Sequence, residues 1–467
     1  MTANPLVAGI DSSTQSTKVV VCDSVTGTVV RRGSAPHPDG TEVDPQAWAV
    51  ALTQATGGGL LDGVRAMSVA GQQHGMVVLD EQRQVVRPAL LWNDTRSAQA
   101  ARDLTAELGG PAAWVGAVGS ALVASFTVTK LRWFAEREPE LAGRAASVLL
   151  PHDWLTSTLL PGRPLVTDRG DASGTGWWSP SSGAYRPDLL QRAFGRPLEV
   201  PLVLAPDAVA GTTGDGVVVA AGTGDNMGAA LGLGLQLGDA VVSLGTSGTA
   251  FALHDAPVTD PSGAVAGFAD ATGRWLPLVA TLNAARVLVA AAHLLGTDLV
   301  GLDALALQAP AGAGGLVLLP YLDGERTPDL PAATGTLAGL TRRTMTPSCL
   351  ARAAVEGMLC GLADAVAALT RQGVSPTRLL LVGGAARSAA VRAIAPDLLG
   401  LPVVLPPAEE HVAVGAARQA AWALTGSLPD WTSADPEVLE PVDLAAGERV
   451  RASYAALRDE ALARGSR

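Results

Sequence analysis

Cysteine is scarce in this 467-residue chain: Cys22, Cys349 and Cys360 are the only three. No two stand in C-x-x-C spacing, so the sequence offers neither a zinc site nor a redox dithiol. An odd number in so long a chain argues against a disulfide framework and fits a reducing compartment. Dense runs of Lys or Arg are missing as well, and the formal net charge is -11. Nucleic acid and anionic membrane, which select basic patches, are therefore poor partners. No stretch supplies the roughly 20 consecutive lipid-compatible residues of a membrane span. The most apolar region, residues 217–251, is broken by Asp225, Asp239 and many glycines. The opening "MTANPLVAGID" lacks the basic start and long apolar core of a signal peptide. These absences lead to the expectation of a cytoplasmic protein. G-x-S-x-G, H-E-x-x-H and the Walker P-loop are absent too, which leaves little support for a serine hydrolase, a zinc protease or a P-loop NTPase.

What is present is a large apolar fraction, 48%, in a chain long enough for about two to four domains at roughly 150 residues each. "LVAGI" and "VVVCD" read as strands around the polar turn "DSSTQSTK", and "TVVRR" as a third strand. About half a chain later, "DAVVSLGTSGTAFALHD" repeats the order of strand, small hydroxyl-rich loop, strand. Two copies of an uncommon pattern point to an internal duplication. Strand–helix units elsewhere, including a long helix over 347–372 with Pro347 near its start and a helical tail from about residue 443, make the chain α/β.

Several short stretches carry chemistry. Tight Gly/Ser/Thr loops expose backbone N–H groups and hydroxyls that cradle phosphate oxygens. Thr14 belongs to the first such loop, and Gly245, Thr246 and Ser247 to the second. Asp11 ends the strand before the first loop, where a carboxylate suits Mg²⁺ beside phosphates. "VGGAARS" places Gly383, Gly384, Ala385 and Ser388 at a strand-to-helix turn open to a nucleotide. "GQQHG" offers Gln73 and His74, neutral groups suited to sugar hydroxyls, and "LLWNDTRSA" offers Trp92 as an apolar platform. "AAGTGDNMGAAL" puts Asp225 and Asn226 where a strand turns into a helix of small residues. Taken alone, each stretch has a bland reading: a turn, a capped helix start, a satisfied histidine. The G-x-G-x-x-x-G spacing at 222–228 misses the dinucleotide fingerprint by one residue.

In order along the chain, these stretches resemble the FGGY carbohydrate kinases over nearly the full length. "GIDSSTQSTKVVVCD" is similar to the family's first phosphate loop, and "VAGQQHGMVVLD" with "RPALLWNDTR" to its sugar-binding region. "SFTVTKLRWF" resembles the first family signature, "VSLGTSGTAF" the second phosphate loop and "LVGGAARS" the adenosine turn. "LPYLDGERTP" and the stretch after it resemble the region around the second signature.

The resemblance implies the actin-like ATPase fold: two ribonuclease-H-like domains flanking a central cleft. The first would span 5–230 and the second 237–426, with a C-terminal helix over 443–467 packing back toward the first domain. It also implies ATP and Mg²⁺, Asp225 as general base, Asp11 and Asp225 at the metal, and Gln73, His74, Trp92 and Asn226 at the sugar. Thr14, Gly245, Thr246, Ser247, Gly383, Gly384, Ala385 and Ser388 would contact ATP. The implied reaction is γ-phosphate transfer to the 5-hydroxyl of D-xylulose. Another pentulose or a pentitol is the alternative substrate, and a non-enzymatic nucleotide switch the alternative class. A homodimer is a candidate assembly on the prevalence of dimers alone. Gln73 departs from the Met that is common at its position among the members this chain resembles, which bears on sugar preference.

Overall fold

A computed structural model describes residues 4–431 and 436–465, so the last two residues of the expected 443–467 helix lie outside the described residues. The chain forms two compact units. The first gathers Met1–Leu235, Leu253–Pro277 and Ala408–Thr432, and the second gathers Gln236–Ala252, Leu278–Pro407 and Ser433–Arg467.

The first unit is built on a sheet of β1 (Leu6–Ser12), β2 (Ser16–Asp23), β3 (Val29–Pro36), β4 (Val64–Gly71), β5 (Val209–Thr212) and β6 (Val218–Ala220), in the order β3-β2-β1-β4-β6-β5. The second unit has β7 (Asp239–Leu244), β8 (Gly248–Ala252), most of β9 (Trp275–Thr281), β10 (Arg378–Val382), β11 (Val403–Leu405) and β12 (Glu437–Leu439), in the order β9-β8-β7-β10-β11-β12. Each sheet runs through the same five pairings: antiparallel, antiparallel, parallel, parallel, antiparallel. The duplication first seen in two loops is thus a duplication of a whole strand diagram. The central strands are buried on both faces and read as continuous apolar runs, as parallel strands covered by helices must.

Helices set the working end of each sheet. In the first unit, α1 (Pro151–Leu159) packs on β4, and α2 (Asp225–Gly232) begins directly after the short strand Thr223–Gly224, which extends the edge of β4. In the second unit the helices are α3 (Ala285–Leu294), α4 (Pro347–Arg371) and α5 (Ala389–Leu399). Pro347 is the first residue of α4, and the Thr346 side chain accepts from Cys349 N at its start. Taken singly among the described residues, α4 is the one helix long and apolar enough to cross a membrane, and 72% of its most apolar stretch is buried as core.

Helix α6 (His411–Thr425), inside the span expected for the second domain, packs in the first unit against β1 and α2. Glycine makes this packing possible. A Cβ on Gly9 would meet Ala413 O at 1.8 Å, and one on Gly415 would meet Gly228 O at 1.9 Å. Backbones that close exclude any side chain between them. The last helix, α7 (Leu444–Gly465), corrects one expectation: it belongs to the second unit, where it packs on α4 and α5 instead of returning to the first domain. Gly447 permits the contact, since a Cβ there would lie 1.9 Å from Asp397 O. Cys22, Cys349 and Cys360 are all free thiols.

Candidate active site

Asp11 is the penultimate residue of β1, paired with Lys18 on β2 and Ala70 on β4, and its side chain is buried. It accepts a short hydrogen bond from the Ser13 hydroxyl. Burial pushes its carboxyl up to about 6, against the opposing effects of that hydrogen bond and the Lys18 charge. Lys18 itself pairs with Glu410 at 2.6 Å.

Asp225 opens α2, but Gly224 is the N-cap and the Asp225 side chain does not serve as one. Its Oδ1 accepts from the Asn226 backbone at 2.8 Å and the Asn226 amide at 2.9 Å. Burial first, and then the like charge of Asp11, push the Asp225 carboxyl up to about 7. A carboxylate poised there suits proton abstraction near neutral pH.

Asn226 also donates to Gln73 Oε1 at 3.0 Å, so Gln73, Asn226 and Asp225 form one chain of amide and carboxylate groups. The Gln73 Nε2, together with both side-chain polar atoms of the adjacent Gln72, is buried without a hydrogen-bond partner. Buried amides that lack partners cost free energy unless a ligand satisfies them. The loop bearing them leaves the sheet after β4. The next strand, Val77–Leu79, pairs antiparallel with Ser147–Leu149 and not with β4. His74 sits in this loop with φ +65, donating from Nδ1 to Gly174 O, 2.8 Å away. Its ring packs on Phe126 and Phe268 at 4.8 and 5.8 Å. Beneath it, fully buried Lys130 donates to the carbonyls of Ser125, Ala124 and His74, which fixes the loop from below. The Trp92 indole donates to the Thr14 hydroxyl at 2.8 Å, tying the apolar platform to the first hydroxyl loop.

In the second unit, the loop Gly245–Ser247 joins β7 to β8. A Cβ on Gly383, which has φ +94, would lie 2.6 Å from Leu244 O, so the 383–385 turn abuts the end of β7 and only glycine fits. Gly384 faces open space. These two glycines thus differ: one enables packing, the other leaves a surface free for a ligand. Ser388 is occupied otherwise. Its side chain accepts from Val391 N as the cap of α5 and donates to Asp303 at 2.6 Å.

Sequence reasoning missed a group of four. His152, on α1, places Nδ1 2.6 Å from Asp171 Oδ2 and Nε2 3.2 Å from Asp153 Oδ1, with Asp168 at 4.0 Å, and all four are buried. Burial alone would lower the histidine; the carboxylates of Asp153, Asp171 and Asp168 outweigh it and raise His152 to about 9. Asp168 also accepts from Thr223 Oγ1 at 3.2 Å, and the His152 ring lies where a Cβ on Gly222 would fall, at 2.5 Å. The ion cluster therefore backs the segment that leads into Asp225. The signal was present as "PHDWL" and "TDRGDASG", acids set among apolar residues. Such acids are rarely buried without a cation.

Comparisons with known proteins fit this geometry. The model of the FGGY family of carbohydrate kinases, N-terminal domain, matches residues 6–232, and that of its C-terminal domain matches 240–424. The xylulose kinase of Streptomyces coelicolor is 47% identical over 94% of this chain and 93% of its own length. That of Escherichia coli is 35% identical over 84% of each. The crystal structure of xylulose kinase from Bifidobacterium adolescentis superposes with a TM-score of 0.90 at 43% identity, covering 97% of this chain and 99% of that one. Plasmodium falciparum glycerol kinase with ADP, at 19% identity and TM-score 0.87 over 98% of both chains, shares the fold.

Proposed function

The chain belongs to the FGGY family of carbohydrate kinases, with their actin-like ATPase fold, and from that premise we propose that it transfers the γ-phosphate of ATP to the 5-hydroxyl of D-xylulose, with Asp225 as general base. The observation that carries the mechanism is Asp225 at the start of α2, held by Asn226 beside the charge of Asp11. The full-length likeness to xylulose kinases supports the sugar.

A primary hydroxyl is a weak nucleophile. As its oxygen bonds to the γ-phosphorus, Asp225 takes the proton, and the bond from that phosphorus to the β,γ-bridging oxygen breaks to release ADP. Gln73 and Asn226 would orient the sugar hydroxyls, His74 and Trp92 would wall the sugar site, and Gln72 would gain partners for its buried amide. Thr14, Gly245, Thr246, Ser247 and the 383–385 turn would bind the phosphates and nucleoside. Ser388 acts there through the helix it caps. The donor set suits Mg²⁺, a hard cation that prefers carboxylate oxygens: Asp11, with Asp225, would hold it, and the ion would neutralise charge on the phosphates. The net charge of -11 fits a cytoplasmic enzyme with small-molecule partners and without nucleic acid or membrane. A homodimer is part of the same proposal.

The test is ADP release with ATP and Mg²⁺ over a panel of ketopentoses, pentitols and glycerol. D-Xylulose is expected to be the preferred acceptor, with kcat falling roughly 10²–10⁴-fold in Asp225→Ala. Because the Asp225 carboxyl is raised to about 7, kcat/KM should climb as pH rises through that value. Preference for another sugar would redirect the substrate assignment and leave the base in place. A fully active Asp225→Ala would overturn the mechanism.

A further inference from the structure

The proposed ATP contacts in the second unit share one property. Gly245, Thr246, Ser247, Gly383, Gly384, Ala385 and Ser388 are all uncharged, whereas a nucleoside triphosphate carries several negative charges. One cation is bonded to the loop itself. Arg286, in the first turn of α3, donates from Nε to Thr246 O at 3.3 Å, and the neighbouring Ala285 N donates to Gly245 O at 3.0 Å. The second arm of this arginine, Nη1, reaches Asp323 at 3.1 Å. Asp323 is 67% exposed at the side chain, so the pair sits in water, where a single ion pair adds little stability. Nη2 makes no hydrogen bond among the described residues.

The clamp around this pair is firmer than the pair. Asn283, buried just before α3, accepts from Leu322 N at 3.2 Å and donates to Gly324 O at 2.7 Å and Glu325 at 2.9 Å. Residues on either side of Asp323 are thereby pinned to the start of α3. A half-buried arginine fork is held against the phosphate loop by one N–H and parked on an exposed carboxylate by another. A carboxylate oxygen resembles a phosphate oxygen in charge and acceptor geometry, and arginine binds phosphate with two parallel N–H groups.

We propose that Arg286 is a phosphate clamp of the nucleotide site, exchanging the Asp323 carboxylate for the terminal phosphates of bound ATP. The assignment rests on the kinase reading above and adds a residue to its nucleotide site. It predicts opposite effects from the two partners of one ion pair, because Asp323 competes with the ligand that Arg286 binds.

The experiment is calorimetric titration of the full-length chain, without sugar, with ATP, ADP and AMP. Arg286→Met should weaken ATP binding roughly tenfold or more, on the scale of a lost hydrogen-bonded charge contact, and leave AMP nearly unchanged. Arg286→Lys should recover part of the loss. Asp323→Asn, at an exposed position that should not disturb folding, should tighten ATP. If Asp323→Asn weakens ATP as Arg286→Met does, the pair is a structural brace and the proposal fails. It fails equally if Arg286→Met weakens all three nucleotides by one factor or none. Wild type that binds no nucleotide would sink the kinase reading and this assignment together; wild type that binds ATP, with Arg286→Met binding equally, would sink this assignment alone.

Discussion

The two hairpins that end in hydroxyl-rich loops occupy the same place in the same strand diagram, yet they are loaded with opposite chemistry. In the first, the penultimate residue of β1 is Asp11, paired with Lys18 and Ala70. In the second, the penultimate residue of β7 is Ser243, paired with Thr249 and Val382. Each parallel neighbour is followed in register by a glycine, Gly71 in one sheet and Gly383 in the other. The first glycine makes room for a buried ion cluster, since a Cβ there would sit 2.8 Å from the His152 side chain; the second makes room for plain backbone at Leu244. One copy has buried carboxylates and their counter-charges behind its strand end, and the other has uncharged residues in its loop, with its nearest ion pair, Arg286–Asp323, half-buried to exposed. The repeat supplies a strand end and a turn, and substitution at equivalent positions decides whether a buried carboxylate, Asp11, or a hydroxyl, Ser243, stands beside that turn.

The largest expected effect tests whether the buried charges of the first copy are held by one residue. Removing His152 leaves Asp153, Asp168 and Asp171 without their cation. His152→Gln should cost about 3–5 kcal/mol in chemical denaturation, the range for a broken buried ion pair. His152→Lys, which keeps the charge, should recover much of it. The pH dependence has a definite sign. His152 is raised from 6.5 to about 9 on folding, so its contribution is fully present below pH 6.5 and is lost as pH rises through 9. The gap between wild type and His152→Gln should narrow between pH 7 and pH 9.5. An equal gap at both would mean the ring acts by packing alone.

The neutral copy should break differently. Gly383→Ala meets both a left-handed backbone, φ +94, and a carbonyl oxygen 2.6 Å away. The conformational part alone costs about 1–2 kcal/mol, so the thermal midpoint should drop and nucleotide binding should weaken with it. Gly384→Ala, whose Cβ meets nothing within 4 Å, should leave stability unchanged and report only on the ligand. If both variants melt alike, the distinction between packing glycine and contact glycine is wrong. Unlike that of His152→Gln, the stability loss of Gly383→Ala should not depend on pH, because it comes from backbone strain and a close carbonyl.

The sequence exposed those parts of this comparison that are local. A Gly/Ser/Thr loop between apolar runs is visible because its residues are consecutive, as is the strand-to-helix junction at Asp225. The long helix came out as Pro347–Arg371 against an expected 347–372, because Pro347 and an unbroken apolar stripe mark it. What stayed hidden depends on distant partners. Trp92 and Thr14 are 78 residues apart, and Arg286 and Asp323 are 37 apart. Ser388 read as a nucleotide contact because its motif did, yet its hydroxyl has a closer task at the cap of α5. The placement of α6 on β1 was illegible for a similar reason. Gly9, Gly228 and Gly415 are unremarkable one at a time, and their fit appears only when three backbones meet.

The smallest expected effect concerns the position where this chain departs from the Met common among the relatives it resembles. Gln73 donates nothing in the structure, its Nε2 being a buried orphan, while its Oε1 accepts from Asn226 at 3.0 Å. Gln73→Met removes the orphan and the hydrogen bond together. The two effects on folding oppose one another, so stability should change by less than about 1 kcal/mol. Sugar binding should not be so evenly balanced. If Nε2 is kept unpaired because a sugar hydroxyl satisfies it, Gln73→Met should raise KM for the preferred sugar by up to about tenfold, with kcat much less affected. Sugars lacking the matching hydroxyl should show no such rise. Steady-state kinetics across the same acceptor panel separates the cases: a uniform change for every sugar would make Gln73 a prop for Asn226, and a selective one would make it part of the recognition surface.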